Sequence, residues 1–361
     1  MAKPASSRCN LRCRYCFYID KPQQPMMDDA TLEAFIQQHI AAQPGPEVQF
    51  AWQGGEPTLC GLDFFRRVAA LQQRYAAGKR IANAFQTNGI LLNHDWCRFF
   101  HENDWLVGIS LDGPEEQHDA YRVSRSGKPT HHNVTVAIDK LRAHQVSFNL
   151  LTVVNRQNSR HPAQLYHYLR ELGTPHLQFI PLLEHDNPES VTDHQWGAFL
   201  NEVFDVWVRE DIGRVFVQLF ESTLGVWSGY PSQMCSLAAT CGHAFALETN
   251  GDVFQCDHYV YPQYRLGNIH QTPLSQLNNG DAAKAFGLRK QTALSAECRA
   301  CQVNHLCHGD CPKHRIHGKS ALCAGYQAFF RHSASHMRVM RDLIRHHRSP
   351  MELMALLQKS R

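Results

Sequence analysis

Three cysteines crowd into eight residues near the start of this chain, in the run Cys9-Asn10-Leu11-Arg12-Cys13-Arg14-Tyr15-Cys16. Spacings this short let one loop fold back and present three thiolates to a single metal group. A [4Fe–4S] cluster has four irons and is normally held by four cysteines, so three from one loop leave one iron for a ligand that is not protein. Zinc is the alternative, but it favours C-x2-C pairs and closes at four ligands. A disulfide framework fits poorly, because an odd number of neighbouring loop cysteines cannot all pair. The C-x3-C-x2-C run therefore reads as a cluster loop with an open iron.

Eight more cysteines follow in the last third: Cys235, Cys241 and Cys256, then Cys298, Cys301, Cys307, Cys311 and Cys323. Three plus five is enough for two complete four-cysteine clusters. A zinc ribbon built on Cys298 and Cys301 is the competing reading. Cys60 and Cys97 are left over in or beside helical context and read as buried small hydrophobes. Gly54 and Gly55, in Trp52-Gln53-Gly54-Gly55-Glu56-Pro57, can bring backbone close to a ligand, although a plain turn is the default for such a pair. Taken alone, Asp257 is a turn residue beside Cys256, and Arg122 is the partner of a surface ion pair with Asp119 or Glu115.

These residues need elements to hold them. Helical periodicity over 28–40, 63–75, 94–101, 133–144 and 161–172 alternates with strand-like runs at 47–52, 81–86, 105–111, 146–153 and 176–181. Repeated βα units with short connections imply parallel strands, in a barrel or an open sheet. A helix over 192–209 leads into a region of short strands near 244–248 and 253–255, where Asn250-Gly251 is a hairpin signal. Residues 327–357 read as helix. Only eight residues precede Cys9, short for a leading strand, so the natural start is expected upstream of Met1.

With 361 residues, 43% hydrophobic and 19% charged, the chain reads as globular. Its net charge of +3 is too small to argue for nucleic acid. No run approaches 18 apolar residues, so no membrane span is expected. The N-terminus has no apolar stretch before a cleavage site, and a cytoplasmic location is expected. Thirteen cysteines in such a chain point to metal or redox chemistry. His332, His336, His346 and His347 read as helical surface.

The cysteine loop, with an aromatic before its last cysteine, resembles the radical S-adenosylmethionine (SAM) superfamily, in which SAM chelates the open iron. That resemblance implies an α/β fold, a partial (β/α)6 barrel over 1–190 with its chemistry at the C-terminal ends of the strands. It makes Gly54, Gly55 and Glu56 part of a motif holding the SAM amino group. Ser110 and Asp112 become polar contacts, Arg122 a partner for the carboxylate, and Tyr15 (through its backbone) and Leu183 adenine neighbours. The spacing C-x2-C-x5-C-x3-C resembles the SPASM domain. This implies a helical bridge over 191–233, a cluster domain over 234–326 and C-terminal helices over 327–361. By that resemblance Cys235, Cys241, Cys256 and Cys311 bind one auxiliary [4Fe–4S] cluster, and Cys298, Cys301, Cys307 and Cys323 bind another.

Four stretches narrow the match: 256–260, 266–269, 311–315 and 322–326. Together they resemble the anaerobic sulfatase-maturating enzymes over essentially the full length. The family implies three clusters, SAM, and an external electron donor such as flavodoxin or ferredoxin. It implies oxidation of a cysteine or serine in a Cys/Ser-x-Pro-x-Arg segment of a client sulfatase to Cα-formylglycine, with Asp257 as base and the auxiliary clusters as electron acceptors. Two rivals are a SPASM maturase of another peptide, for example one forming thioether crosslinks, and a non-catalytic iron–sulfur electron carrier. The carrier leaves the open iron and the Gly54-Gly55-Glu56 loop unexplained.

Overall fold

The computed structural model describes residues 1–19, 21–184, 187–242 and 244–359. The chain divides into two compact units. The first comprises Met1–Ser110, His118–Phe148 and Gly242–Leu288; the second comprises Leu111–Gln117, Asn149–Cys241 and Arg289–Arg361.

In the first unit, strands β1 (Glu47–Trp52), β2 (Arg80–Thr87) and β3 (Leu106–Ser110) run parallel. Their register matches Trp52 with Phe85 and Thr87 with Ile109, so the strand ends lie level. Alternation drives β1: Val48, Phe50 and Trp52 are buried while Gln49 between them is exposed. The aromatic side chains meet the helix Leu62–Tyr75, whose Phe65 packs edge-on to Phe85 at 4.9 Å and to Trp52 at 5.9 Å. Polar groups in this core are paired. Asn83 Oδ1 accepts from Trp52 Nε1 at 2.9 Å and from Gln72 Nε2 at 2.8 Å, which satisfies all three. The helix Asp29–Ala42 starts where Asp28 accepts the Thr31 N–H at 2.8 Å.

No strand of more than one residue precedes Cys9. Ala2 makes isolated bridges to Trp52 and Leu247, and Pro4, without an N–H, cannot extend a ladder. Leu247 belongs to the hairpin foreseen at Asn250-Gly251. Strands Ala246–Leu247 and Asp252–Phe254 pair antiparallel across it, with Gly251 at φ +86°, and Arg265–Asn268 adds a third.

The second unit carries β4 (Phe148–Val154, all but its first residue in this unit), β5 (His176–Pro181) and β6 (Phe216–Val217), again parallel. Each unit thus supplies three parallel strands in chain order, as an α/β fold of the (β/α)6 kind requires. The sixth strand is the two-residue β6, not a lead-in to Cys9. It was illegible because two residues have no period. The helix Asp193–Glu210 opens with the Thr192/Gln195 capping box and packs on the long helix Cys323–Arg345. Phe220 packs between Phe204 at 5.3 Å and Phe329 at 5.4 Å in this core. The C-terminal helix begins at Cys323, four residues before the expected start. It ends at Arg345 near Pro350, which cannot continue a helix, and Glu352–Lys359 forms a separate one. Among the described residues no helix is long and apolar enough to cross a membrane.

Candidate active site

The Cys9–Cys16 loop is laid against residues 121–124. Arg12 N donates to Val123 O at 2.8 Å, Arg14 N to Tyr121 O at 3.0 Å, and Leu11 bridges Ser124. Donors converge on the first sulfur: Leu11 N at 3.4 Å and Asn88 Nδ2 at 3.8 Å from Cys9 Sγ. Asn88 also donates to Asn10 Oδ1 at 2.8 Å. Burial pushes the Cys9 thiol up to about 11, with the N–H groups opposing, so iron binding must displace a proton there. Three thiols on one loop, one of them met by N–H donors, suit a metal-bound thiolate, and the loop fits the open-iron cluster expected of it.

Gly55 and Glu56 form the floor under that loop. Gly55 sits at φ +53°, and a Cβ there would meet Arg8 O at 2.1 Å. Glu56 N donates to the same Arg8 carbonyl at 2.7 Å. The Glu56 carboxylate is buried and accepts from Thr58 N at 3.0 Å, Thr58 Oγ1 at 2.7 Å, Thr87 Oγ1 at 2.8 Å and Asn88 N at 2.8 Å. It ties the end of β1 to the end of β2. Burial raises its pKa, and those four donors oppose the rise. Gly54, at φ +99°, packs on the Lys3 side chain.

Ser110, closing β3, accepts from Gln86 Nε2 at 3.0 Å. Arg122 is buried, with its guanidinium 5.4 Å from the Tyr15 ring centroid, and Tyr15 in turn lies 6.0 Å from Tyr121. The Asp119 carboxylate caps the helix His131–Ala143 by accepting from Thr130 N at 2.7 Å and His131 N at 2.9 Å. Asp112 and Leu183 belong to the second unit. Asp112 is fully buried, and its Oδ1 accepts from Val153 N at 3.0 Å. Leu183 is half-buried two residues beyond β5.

Asp257 begins a one-turn helix directly after Cys256. That turn is braced by Tyr259, which packs on Tyr264 at 4.7 Å and Phe286 at 5.4 Å. Its carboxylate forms an ion pair with Lys3, which is 2% exposed and lies 4.3 Å over the Tyr18 ring. Burial pushes the Asp257 carboxyl up, but Lys3 and then His258 outweigh it, leaving its pKa below the usual value. Sequence reasoning missed Lys3: a lone lysine among small residues carries no period or spacing. Asn88 was missed likewise, though Thr87-Asn88-Gly89 at a strand end was visible.

The second unit holds seven of the eight remaining cysteines expected to bind clusters. Cys298, Cys301, Cys307 and Cys323 line one pocket together, and Gln327 Nε2 donates to Cys323 Sγ at 3.3 Å. Four thiols around one space fit the expected cluster. Cys235, Cys241 and Cys311 act electrostatically, together with Asp310, on the buried ammonium of Lys290, which donates to Cys235 O and Ser236 O at 2.7 Å each. Cys256, their expected fourth, is in the first unit. Of the two spare cysteines, Cys97 is buried as expected, whereas Cys60 ends the short Pro57–Cys60 turn only half-buried. Desolvation raises both thiols, to about 11 and about 12.

A family model described as the radical SAM superfamily matches residues 4–169, and one described as the SPASM iron–sulfur cluster-binding domain matches 240–302. The chain is 38% identical to the serine-type anaerobic sulfatase-maturating enzyme of Bacteroides thetaiotaomicron, over 99% of this chain and 94% of that protein. It is 33% identical to the cysteine-type enzyme of Clostridium perfringens, over 92% and 95%. A solved structure, native anSMEcpe with bound AdoMet and Kp18Cys peptide, superposes with a TM-score of 0.90 at 32% identity, covering 94% of this chain and 98% of that one. On these matches the chain belongs to the anaerobic sulfatase-maturating enzymes of the radical SAM superfamily, with a SPASM domain.

Proposed function

We propose that this chain oxidises a cysteine or serine in a Cys/Ser-x-Pro-x-Arg segment of a client sulfatase to Cα-formylglycine. The observation that carries the reading is Asp257, held as a carboxylate by a buried lysine and set immediately after a cluster cysteine. Relatives of both the serine and the cysteine type support either target. When bound, SAM and the three clusters supply the 5′-deoxyadenosyl radical that removes the Cβ hydrogen atom and the acceptor for the second electron. The chain's own residues do the rest. Asp257 takes the thiol or hydroxyl proton, which the adjacent radical has made far more acidic. Lys3 keeps Asp257 ionised and oriented. Glu56 and Asn88 hold the Cys9 loop against the ends of β1 and β2, Gly55 lets Arg8 close on that floor, and Ser110, Arg122 and the Tyr15 backbone would contact SAM. Hydrogen atom, proton and electron leave together as two electrons and two protons. Water then converts the thioaldehyde from cysteine to the aldehyde, releasing hydrogen sulfide. An external flavodoxin or ferredoxin supplies the initiating electron. Thirteen cysteines without a disulfide agree with a reducing, cytoplasmic setting.

Asp257→Asn tests the assignment on anaerobic holoprotein with peptides of both types. The expected outcome is SAM cleavage with formylglycine reduced roughly 10²–10⁴-fold, the range for a lost general base. Full formylglycine yield would move the base elsewhere, and loss of iron would make Asp257 structural.

A further inference from the structure

Lys290 is fully buried at the end of the helix Asp281–Thr292, and its ammonium is met by two main-chain carbonyls. One belongs to Cys235 itself. Among the described residues no carboxylate is paired with it by hydrogen bond; Asp310, which acts on it electrostatically, is held by His314 Nδ1 at 3.0 Å and Ser320 Oγ at 2.9 Å. The sulfurs of Cys241, Cys311 and Cys235 all act on this ammonium electrostatically. Arg315 completes the frame. Its Nη1 donates to Lys290 O at 2.6 Å, and its other nitrogens bind the carbonyls of Gly309 at 2.8 Å, His308 at 2.9 Å and Asp310 at 3.0 Å. The stretch Cys307–Cys311, with one ligand for each auxiliary cluster, is thereby fixed to the lysine. The other cysteine pocket is different. Its cation is Lys319, 37% exposed and neutralised by Glu297 at 2.6 Å.

We infer that Lys290 is a positioning residue that raises the reduction potential of the auxiliary cluster assigned to Cys235, Cys241 and Cys311, making it the better electron acceptor of the two auxiliary clusters. The inference rests on the reading that these eight cysteines hold two clusters. A one-electron reduction adds a negative charge to the cluster. A buried cation that acts on three of its sulfurs stabilises that charge in a medium of low dielectric, with the Asp310 carboxylate offsetting part of the effect.

The test is a potentiometric titration followed by EPR on anaerobically reconstituted holoprotein, for wild type, Lys290→Met and Lys290→Arg. In Lys290→Met one auxiliary potential should fall by about 59 mV or more, a tenfold shift in a one-electron equilibrium. The other clusters should be unchanged, and Lys290→Arg should stay near wild type. Equal potentials in wild type and Lys290→Met would overturn the inference. If Lys290→Met loses iron, Lys290→Gln decides, since it can still donate to Cys235 O without a charge. A lowered potential in that variant upholds the inference, and an unchanged one leaves only a structural role and overturns it. Fewer than about twelve irons in the wild type would instead overturn the two-cluster reading itself, before any substitution is made.

Discussion

A Cβ added at Gly55 would stand 2.1 Å from Arg8 O and 2.8 Å from Ser6 O. The paired glycines suggest room for a ligand when only the sequence is considered, but the close approach is made by the chain's own N-terminal segment. Gly55→Val should therefore displace Arg8, the residue before Cys9, at an overpacking cost of about 1–3 kcal/mol. Iron at the radical cluster and SAM cleavage should fall together, by about four irons per chain. Iron analysis beside a SAM-cleavage assay checks this, and full iron with SAM binding alone weakened would restore the simpler expectation. At Asp257 the sign of the electrostatics can be worked out. Lys3 and His258 hold its pKa down against burial. Lys3→Met removes the first of these, so the pKa rises. A base is active only when deprotonated, so the acid limb of formylglycine formation should move to higher pH. The pH–rate profiles of the two proteins test it; superimposed acid limbs would separate Lys3 from the base.

At the scale of elements, the strands whose buried residues alternate were legible, and 47–52 and 176–181 appear with the expected ends. What was not legible depends on partners far along the chain. Helix Asp281–Thr292, which delivers Lys290, mixes Ala, Lys and Gly without a clear apolar stripe. Lys3 acquires its meaning only from Asp257, 254 residues later. The long C-terminal helix is a third case: its first residue is Cys323, so its packing aims a cysteine proposed as a cluster ligand. Gly325 is where it meets the helix Asp193–Glu210. A Cβ at Gly325 would lie 2.2 Å from Asp193 O and 2.9 Å from Gly197 N. Gly325→Ala should push the helices apart, lower stability by about 1–3 kcal/mol and weaken the cluster bound by Cys298, Cys301, Cys307 and Cys323 while sparing the radical cluster. Thermal melts and cluster-resolved EPR would show this. Wild-type behaviour in both would mean the helices can separate without moving Cys323.

At the scale of the whole molecule, metal and fold are unequally coupled in the two kinds of region. The β1–β3 portion closes around Trp52, Phe65, Phe85 and Trp105, all fully or nearly fully buried, an apolar core made by side chains alone. Residues 293–322 are built otherwise. They hold the four-residue helices Ala296–Arg299 and Asn304–Cys307 and the two-residue strands Arg315–Ile316 and Lys319–Ser320. Elements that short do not persist by their own hydrogen bonding, so the cysteine ligands must supply much of what holds them. Burial pushes the Cys307 thiol up to about 12 against the opposing Gly309 and Asp310 N–H groups, so without metal it stands protonated and makes no ligand bond. Chelator-treated, metal-free protein should therefore keep a protease-resistant first core and be cut first within 293–322. Limited proteolysis with mass analysis of the fragments, run beside the holoprotein, measures this. Equal resistance of that stretch with and without metal would show that Arg315 and Lys290, rather than the clusters, carry its stability.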